Sequence, residues 1–374
     1  MKVFNCDNCG NTLYFENTVC LGCGYRTGFD SRDLSIKTLK AGNGSEVVNM
    51  IDPGEEYFFC INSYHDTCNW LMPKLDNTSY CVACSLNRTI PSLMTEENKI
   101  KWANIEKAKH RLVYSLLCLG LPVGPKKING VLGIAFDFVA YLPGTQKVMT
   151  GHADGVITLN IEEADESLLA KHKLDLGERY RTLLGHFRHE IGHYYWELLI
   201  KDKKPLARYR ELFGDERKDY GDALADYYQQ GAPADWNEHF ISPYASSHPW
   251  EDWAETWAHY LHLMDTLQTA SSVGIGLPAN TKSGINAAPA YPEKDPYTIA
   301  DFKVIFNHWI PLTFAVNSLN RSMGHEDFYP FIIAGPVIEK LTFIHELCLP
   351  FRKRVAAPGF QVTEHAQSSL SNIG

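Results

Sequence analysis

The sequence predicts an α+β protein in two parts: a cysteine-nucleated N-terminal region, residues 1–92, and a mostly helical region, residues 93–374, that carries a small sheet. Three observations carry this expectation. Of the 10 cysteines, eight fall between Cys6 and Cys84, and six of those eight sit in C-x-x-C pairs. Beyond residue 94 the apolar residues recur mainly at helical spacing, with two short β-rich runs between helices. The 374 residues, 45% hydrophobic and 12% aromatic, suffice for one large core or two smaller ones.

The first element is the Cys6–Cys9 pair, followed after ten residues by the Cys20–Cys23 pair. Each pair offers two thiolates from one tight knuckle, and Gly10 and Gly24 follow the knuckles. Four sulfurs so spaced complete a closed tetrahedral zinc site of the ribbon type, with no position left for water. After the turn-rich stretch Ala41–Ser45, Cys60, Cys68, Cys81 and Cys84 offer a second set of four, with His65 competing for the place of Cys68. Residues 1–92 then read as a double zinc ribbon that needs metal in place of a core. Cys118 and Cys348, set among Leu and Pro, read as buried apolar residues.

Charge and composition bound the partners. Between Met1 and Met94 seven Lys/Arg stand against ten Asp/Glu, a net of −3, which argues against nucleic acid and for a protein-contact or substrate-positioning module. The whole chain, at −9, is equally unsuited to an anionic membrane surface. No apolar run approaches membrane-spanning length, the first residues have no signal-like apolar core, and the cysteine usage suits a reducing compartment. The expectation is a cytoplasmic protein with no membrane partner.

The cysteines stop near Asn87–Pro91. From Thr95 a capped helix is predicted through Ile100, Trp102, Ile105, Ala108, Leu112 and Leu116, ending by Gly120. Val131–Tyr141 and Gly155–Asn160 read as strands, the second after the turn-like His152–Gly155. Next comes His189-Glu190-Ile191-Gly192-His193. Leu183, Leu184, Phe187, Ile191, Tyr194 and Leu198 make one helical stripe there, and His186, His189, Glu190, His193 and Glu197 make another. Two histidines four apart on a helix converge on one metal ion, and the intervening Glu is placed to handle a metal-bound water; this is the H-E-x-x-H pattern of zinc hydrolases. The alternative is a solvated polar face that happens to hold two histidines.

Leu206–Tyr228 reads as one further helix, whose acids Asp215, Glu216, Asp219, Asp222 and Asp226 form a solvated face. Tyr244–His262 reads as a helix opened by Pro249, with Ser246 and Ser247 as capping residues ahead of it. Trp253, Trp257, Tyr260 and Met264 form its apolar stripe, and Glu251, Glu255, His259 and His262 lie near the other. A site with two histidines needs a third protein ligand and an open position, so a carboxylate on this second helix is the expected completion. Gly274–Pro296 reads as a long loop, Pro296–Val355 as helical, and Ala356–Gly374 as a frayed tail. His345-Glu346 lacks the second histidine and is set aside.

With His189, Glu190, His193, Glu251 and Glu255 in view, the second region resembles the gluzincin metallopeptidases. The run Glu251-Asp-Trp-Ala-Glu255 is similar to the E-x-x-A-E run of anthrax lethal factor, whose catalytic Tyr precedes the Glu ligand by seven residues, the offset of Tyr244. The order of motifs along most of the chain resembles a bacterial family of zinc-ribbon proteins with a zinc-binding metallopeptidase domain. The resemblance implies a zincin-like fold and three zinc ions, one catalytic and two structural. It implies His189, His193 and Glu251 as ligands of the catalytic ion, Glu190 as general base, Tyr244 as oxyanion donor and Glu255 as the acid that orients a ligand His. His248 and His259 compete with Tyr244 for the donor role, although packing roles suit both. The strand at Val156–Leu159 is similar to the cleft-edge strand along which zincins lay an extended peptide. The leading expectation is a zinc metallopeptidase acting on a peptide or protein, with the ribbons positioning substrate or contacting a protein partner. A catalytically silent zincin-fold binding protein acting through its ribbons is the other class, and a non-peptide zinc hydrolase a third; an intact Glu190 and Tyr244 favour the enzyme.

Overall fold

The computed structural model describes residues 1–126, 133–140, 150–165, 182–275 and 294–355. The 131–132 and 141 ends of the first predicted strand, most of the predicted loop (276–293) and the tail (356–374) lie outside the described residues. The chain forms two compact units, one over Met1–Phe187 and one over Arg188–Lys353. The result is a cysteine-rich region built of strands followed by a mostly helical one, with sheets, in agreement with an α+β order. No helix among the described residues is long and apolar enough to cross a membrane.

In the first unit, β1 (Phe4–Asn5) and β2 (Thr12–Leu13) form a short hairpin around the first cysteine pair. An antiparallel meander follows: β3 (Arg26–Asp30), β4 (Ser35–Ala41), β5 (Val47–Asn49), β6 (Glu56–Phe59) and β7 (Leu71–Pro73) lie side by side in chain order. Alternation along these strands buries Leu39, Val47, Tyr57 and Leu71 in one cluster, with Phe59 against it. Gly28 on β3 is needed for this packing, because a Cβ there would stand 2.6 Å from a Leu71 methyl. The region therefore owns a hydrophobic core, and the expectation that metal replaces one is corrected. The short strands conceal it, since β4, β5, β6 and β7 each contribute only one or two residues to the cluster.

The ribbon region runs on into a second sheet without a break. β8 (Asn87–Thr89), immediately after the last cysteines, pairs in parallel with β9 (Ala135–Val139). β9 in turn pairs in parallel with β11 (Val156–Asn160), and β10 (Gly151–Ala153) completes the sheet in the order β10-β11-β9-β8. Asp154 and Gly155 make the tight β10–β11 turn in left-handed conformations, φ 47° and 73°. The predicted edge strand Val156–Leu159 is thus an inner strand; β10 and β8 are the edges. Helix α1 (Glu96–Cys118) starts at Thr95, whose hydroxyl accepts from Asn98 N. It buries Trp102, Ile105, Leu112 and Leu116 and also Tyr114, which meets Phe15 and Phe29 of the ribbon edge to face at 5.2 and 5.9 Å.

Helix α2 (Leu183–Leu199) carries the two-histidine motif, which falls within the second unit. That unit adds α3 (Lys203–Phe213), α4 (Tyr220–Gln230), α5 (Trp236–His239), α6 (Pro249–Val273), α7 (Phe302–Ser322) and α8 (Gly335–Val355). The single helix expected over Leu206–Tyr228 is two. Gly214 takes φ +102°, which ends α3, and the Asp219 carboxylate accepts from Asp222 N to start α4. The cap of α6 is also corrected: His248, not Ser246 or Ser247, holds it, its Nδ1 accepting from Trp250 N at 3.1 Å. Both stripes of α6 are buried apart from half-buried Glu255, as are Glu190 and His193 on α2, so the reading of a solvated polar face does not hold. The two helices approach closely at Gly192, where a Cβ would meet Ala254 Cα and Trp257 Cβ at 3.2 Å. Trp253 Nε1 donates across the same contact to Gly192 O at 2.8 Å.

Candidate metal centre

That close contact lays one polar face of α2 against one polar face of α6. Side chains of His189, His193 and Glu251 converge so that their ligand atoms lie within 4.8 Å of one another. His189 Nε2 is 3.1 Å from Glu251 Oε2, and His193 Nε2 is 3.6 Å from Oε1. Ligands at 2.0–2.1 Å from a tetrahedral ion stand about 3.3 Å apart, so the separations fit zinc with little adjustment. The donor set fits as well: two imidazoles and one carboxylate are three protein ligands, with a fourth position open.

Outer contacts orient the candidate ligands. His189 Nδ1 lies 2.7 Å from Glu255 Oε1, which fixes the proton on Nδ1 and turns Nε2 toward the metal position. Glu255 Oε2 accepts in turn from the Ser242 hydroxyl at 2.6 Å. Burial opposes charge on His189, yet Glu251 and Glu255 more than offset it and hold its pKa well above the ordinary histidine range. Burial likewise pushes Glu251 and Glu255 up, and the histidines beside them win and hold both carboxyls below the usual range. Two carboxylates against one imidazolium is an electrostatic arrangement that a divalent cation satisfies better than a proton.

Glu190 is buried on the same helix, and its charge is felt at both His193 and Tyr220. Tyr244 sits with its ring 6.1 Å from that of His189. Burial, and after it the negative charge of Glu251, raises its pKa far above the ordinary phenol range, so Tyr244 stays a proton donor. The rival donors are committed elsewhere. His248 caps α6 and places Nε2 3.2 Å from Lys218 O, while His259 Nδ1 lies 2.8 Å from the Tyr329 hydroxyl with its ring against Phe331. His186, one turn before the motif, meets Glu163 Oε2 at 2.6 Å. His345 bonds to Ala300 O and Tyr260.

One neighbour has no signature in the sequence. The Tyr220 hydroxyl donates to Glu251 Oε1 at 2.8 Å. Its ring lies between His248 and Trp250, and Trp250 packs on His193 with ring centroids 4.0 Å apart. Tyr220 reaches the site only because α4 restarts after Gly214, so helical periodicity carried no sign of it.

The cysteine clusters form two closed cages. Sγ atoms of Cys6, Cys9, Cys20 and Cys23 lie within 4.8 Å of one another, as do those of Cys60, Cys68, Cys81 and Cys84. Contacts of 3.6 Å (Cys6–Cys23, Cys9–Cys20) and 3.8 Å (Cys68–Cys81) are far too long for a disulfide. They match the roughly 3.8 Å edge of a zinc–thiolate tetrahedron with 2.3 Å bonds. Burial and the neighbouring sulfurs push Cys68 and Cys81 well above the ordinary thiol range, so four thiolates require a cation among them. Backbone N–H groups of Trp70, Cys81 and Cys84 point at the second cage's sulfurs at 3.4 Å. His65 is not in the cage; its ring packs on Trp102 at 5.7 Å. Instead α1 supplies His110, with Nε2 3.6 Å from Cys84 Sγ, and Glu106 at 3.7 Å. Cys348 is buried and its thiol pushed up to about 12 by that burial, which suits an inert apolar role; Cys118 is half-buried.

Comparison with known proteins agrees with this layout. A family model described as "Putative zinc-binding metallo-peptidase" matches residues 98–347, and a zinc-ribbon domain model matches residues 3–95. Proteins from Mycobacterium tuberculosis and Mycobacterium bovis, each named only as an uncharacterized protein, are 38% identical over 346 residues, which covers 92% of this chain and 94% of theirs. No solved structure matches the chain. Zinc binding is supported by both family models and by the two cysteine cages.

Proposed function

The chain belongs to the zinc-ribbon metallopeptidase family that these two models describe, and from that premise we propose that it is a cytoplasmic, gluzincin-type zinc peptidase. Residues 1–92 serve as its zinc-ribbon domain and residues 93–374 as a zincin-like peptidase domain, with one catalytic and two structural zinc ions. The observation that carries the reading is the convergence of His189, His193 and Glu251, with Glu255 fixing the tautomer of His189.

His189, His193 and Glu251 would hold the catalytic ion. Bound there, zinc supplies an electrophile that lowers the pKa of a water towards about 7 and polarises a carbonyl. Glu190 takes the proton of the attacking water and delivers it to the leaving amine. Tyr244, kept as a neutral phenol, donates to the oxygen on which charge develops. Glu255 keeps the His189 proton on Nδ1 throughout, so Nε2 stays free to ligate. The acidic balance of the ribbons supports a peptide or protein substrate and a protein partner over nucleic acid.

The test is a comparison of cleavage products in whole-cell extract between the wild-type protein and Glu190→Gln. The variant should keep its full metal content and lose hydrolysis by several orders of magnitude. Turnover of the same peptides by Glu190→Gln would remove the assigned base, and the absence of any product with the wild-type protein would favour the non-catalytic binding role.

A further inference from the structure

Tyr220 reaches in from outside α2 and α6 to bond directly to an expected metal ligand. We infer that Tyr220 is a positioning residue that keeps Glu251 a one-oxygen ligand, an inference that rests on the zinc reading of His189, His193 and Glu251. Its hydroxyl donates to Oε1 at 2.8 Å, an oxygen that stands 3.6 Å from His193 Nε2, while Oε2 stands 3.1 Å from His189 Nε2, nearer the roughly 3.3 Å edge of a zinc tetrahedron. The phenol therefore engages one carboxylate oxygen and leaves the other to the metal.

This matters because Glu251 has little else to hold it. A carboxylate can turn about its last bond and offer both oxygens to an ion, which would fill the position a water needs. Glu251 is 1% exposed, so bulk water does not solvate Oε1, and the charge-assisted hydrogen bond from Tyr220 is what the structure provides in its place. The phenol is itself fixed. Its ring meets His248, which caps α6, and Trp250, which packs on His193, so the donor is tied to the one helix that carries Glu251 and, through Trp250, to the second histidine.

Tyr220→Phe keeps the ring and deletes only the donor. With the residue 40% exposed, the variant should fold as the wild type does. The full-length protein is stripped of its most accessible zinc with a chelator, then titrated with zinc against a competing dye, and separately refilled with cobalt(II). In Tyr220→Phe the affinity of the refilled site should fall about 10-fold or more. Its cobalt spectrum should change from the intense visible bands of a four-coordinate ion to the weaker bands of a five-coordinate one, a signature that lost packing alone would not produce. Glu251→Ala is the control. If Glu251→Ala leaves the refilled site unchanged, the metal site is misassigned and both readings fall. If Glu251→Ala abolishes metal binding while Tyr220→Phe matches the wild type in affinity and spectrum, only the role of Tyr220 falls.

Discussion

Glu251 and Glu255 lie one helical turn apart and meet opposite nitrogens of His189, Nε2 at 3.1 Å and Nδ1 at 2.7 Å, and the roles proposed for them differ accordingly. Glu251→Ala should remove the third zinc outright, whereas Glu255→Ala should weaken it by about 10–100-fold; metal analysis after dialysis ranks the two, and the reverse order would exchange their roles. His189 sets the pH dependence. In the metal-free protein its pKa is raised by Glu251 and Glu255 in spite of burial, so below that pKa zinc must displace a proton. Affinity at this site should therefore rise by about tenfold per pH unit below the His189 pKa and level off above it, as read by competition titration at a series of pH values. Glu255→Gln should shift that rise to lower pH.

The site exists because two helices come close, and Gly192 is where they do. Gly192→Val would place methyl groups into Ala254 and Trp257, at a cost of about 1–3 kcal/mol in overpacking. By moving α2 off α6 it should also cost more than tenfold in zinc affinity, which calorimetry and metal titration on the same sample would separate. On the far side of α6, Lys340 of α8 forms a buried ion pair with Asp252 at 2.6 Å. Lys340→Ala would strand that carboxylate and should destabilise the protein by about 3–5 kcal/mol, measured by chemical denaturation. The helix pair was legible in the sequence because helical period and metal-ligand spacing are local properties, visible within ten residues. Tyr220 was hidden, because its place depends on the break at Gly214 and on packing across 31 positions of sequence. For the same reason the sequence offers His65 for the second cage and gives no sign of His110, 26 positions beyond Cys84 on α1.

Across the whole molecule, metal analysis of the intact protein should return about three zinc ions per chain, by two closed cages and one open site. Cys68→Ser should remove one ion and also loosen α1, since Cys84 of that cage meets His110 and Glu106, and Lys109 is buried beside Glu106 at 2.8 Å. Amide exchange along residues 96–118 would report that loosening, and protection equal to wild type would show that α1 holds without the cage. The ribbon's aromatic residues and this helix share one interior, which the cysteine spacing alone could not reveal. The strand β8 carries the consequence furthest. Because it closes one side of the second sheet, the ribbon is not a cassette that can be exchanged, tagged at its border or expressed alone. A chain cut at residue 92 would leave β9 with a bare row of backbone donors and acceptors, a ready template for pairing with its own copies. Anyone dividing the protein at its apparent seam should expect the helical half to precipitate.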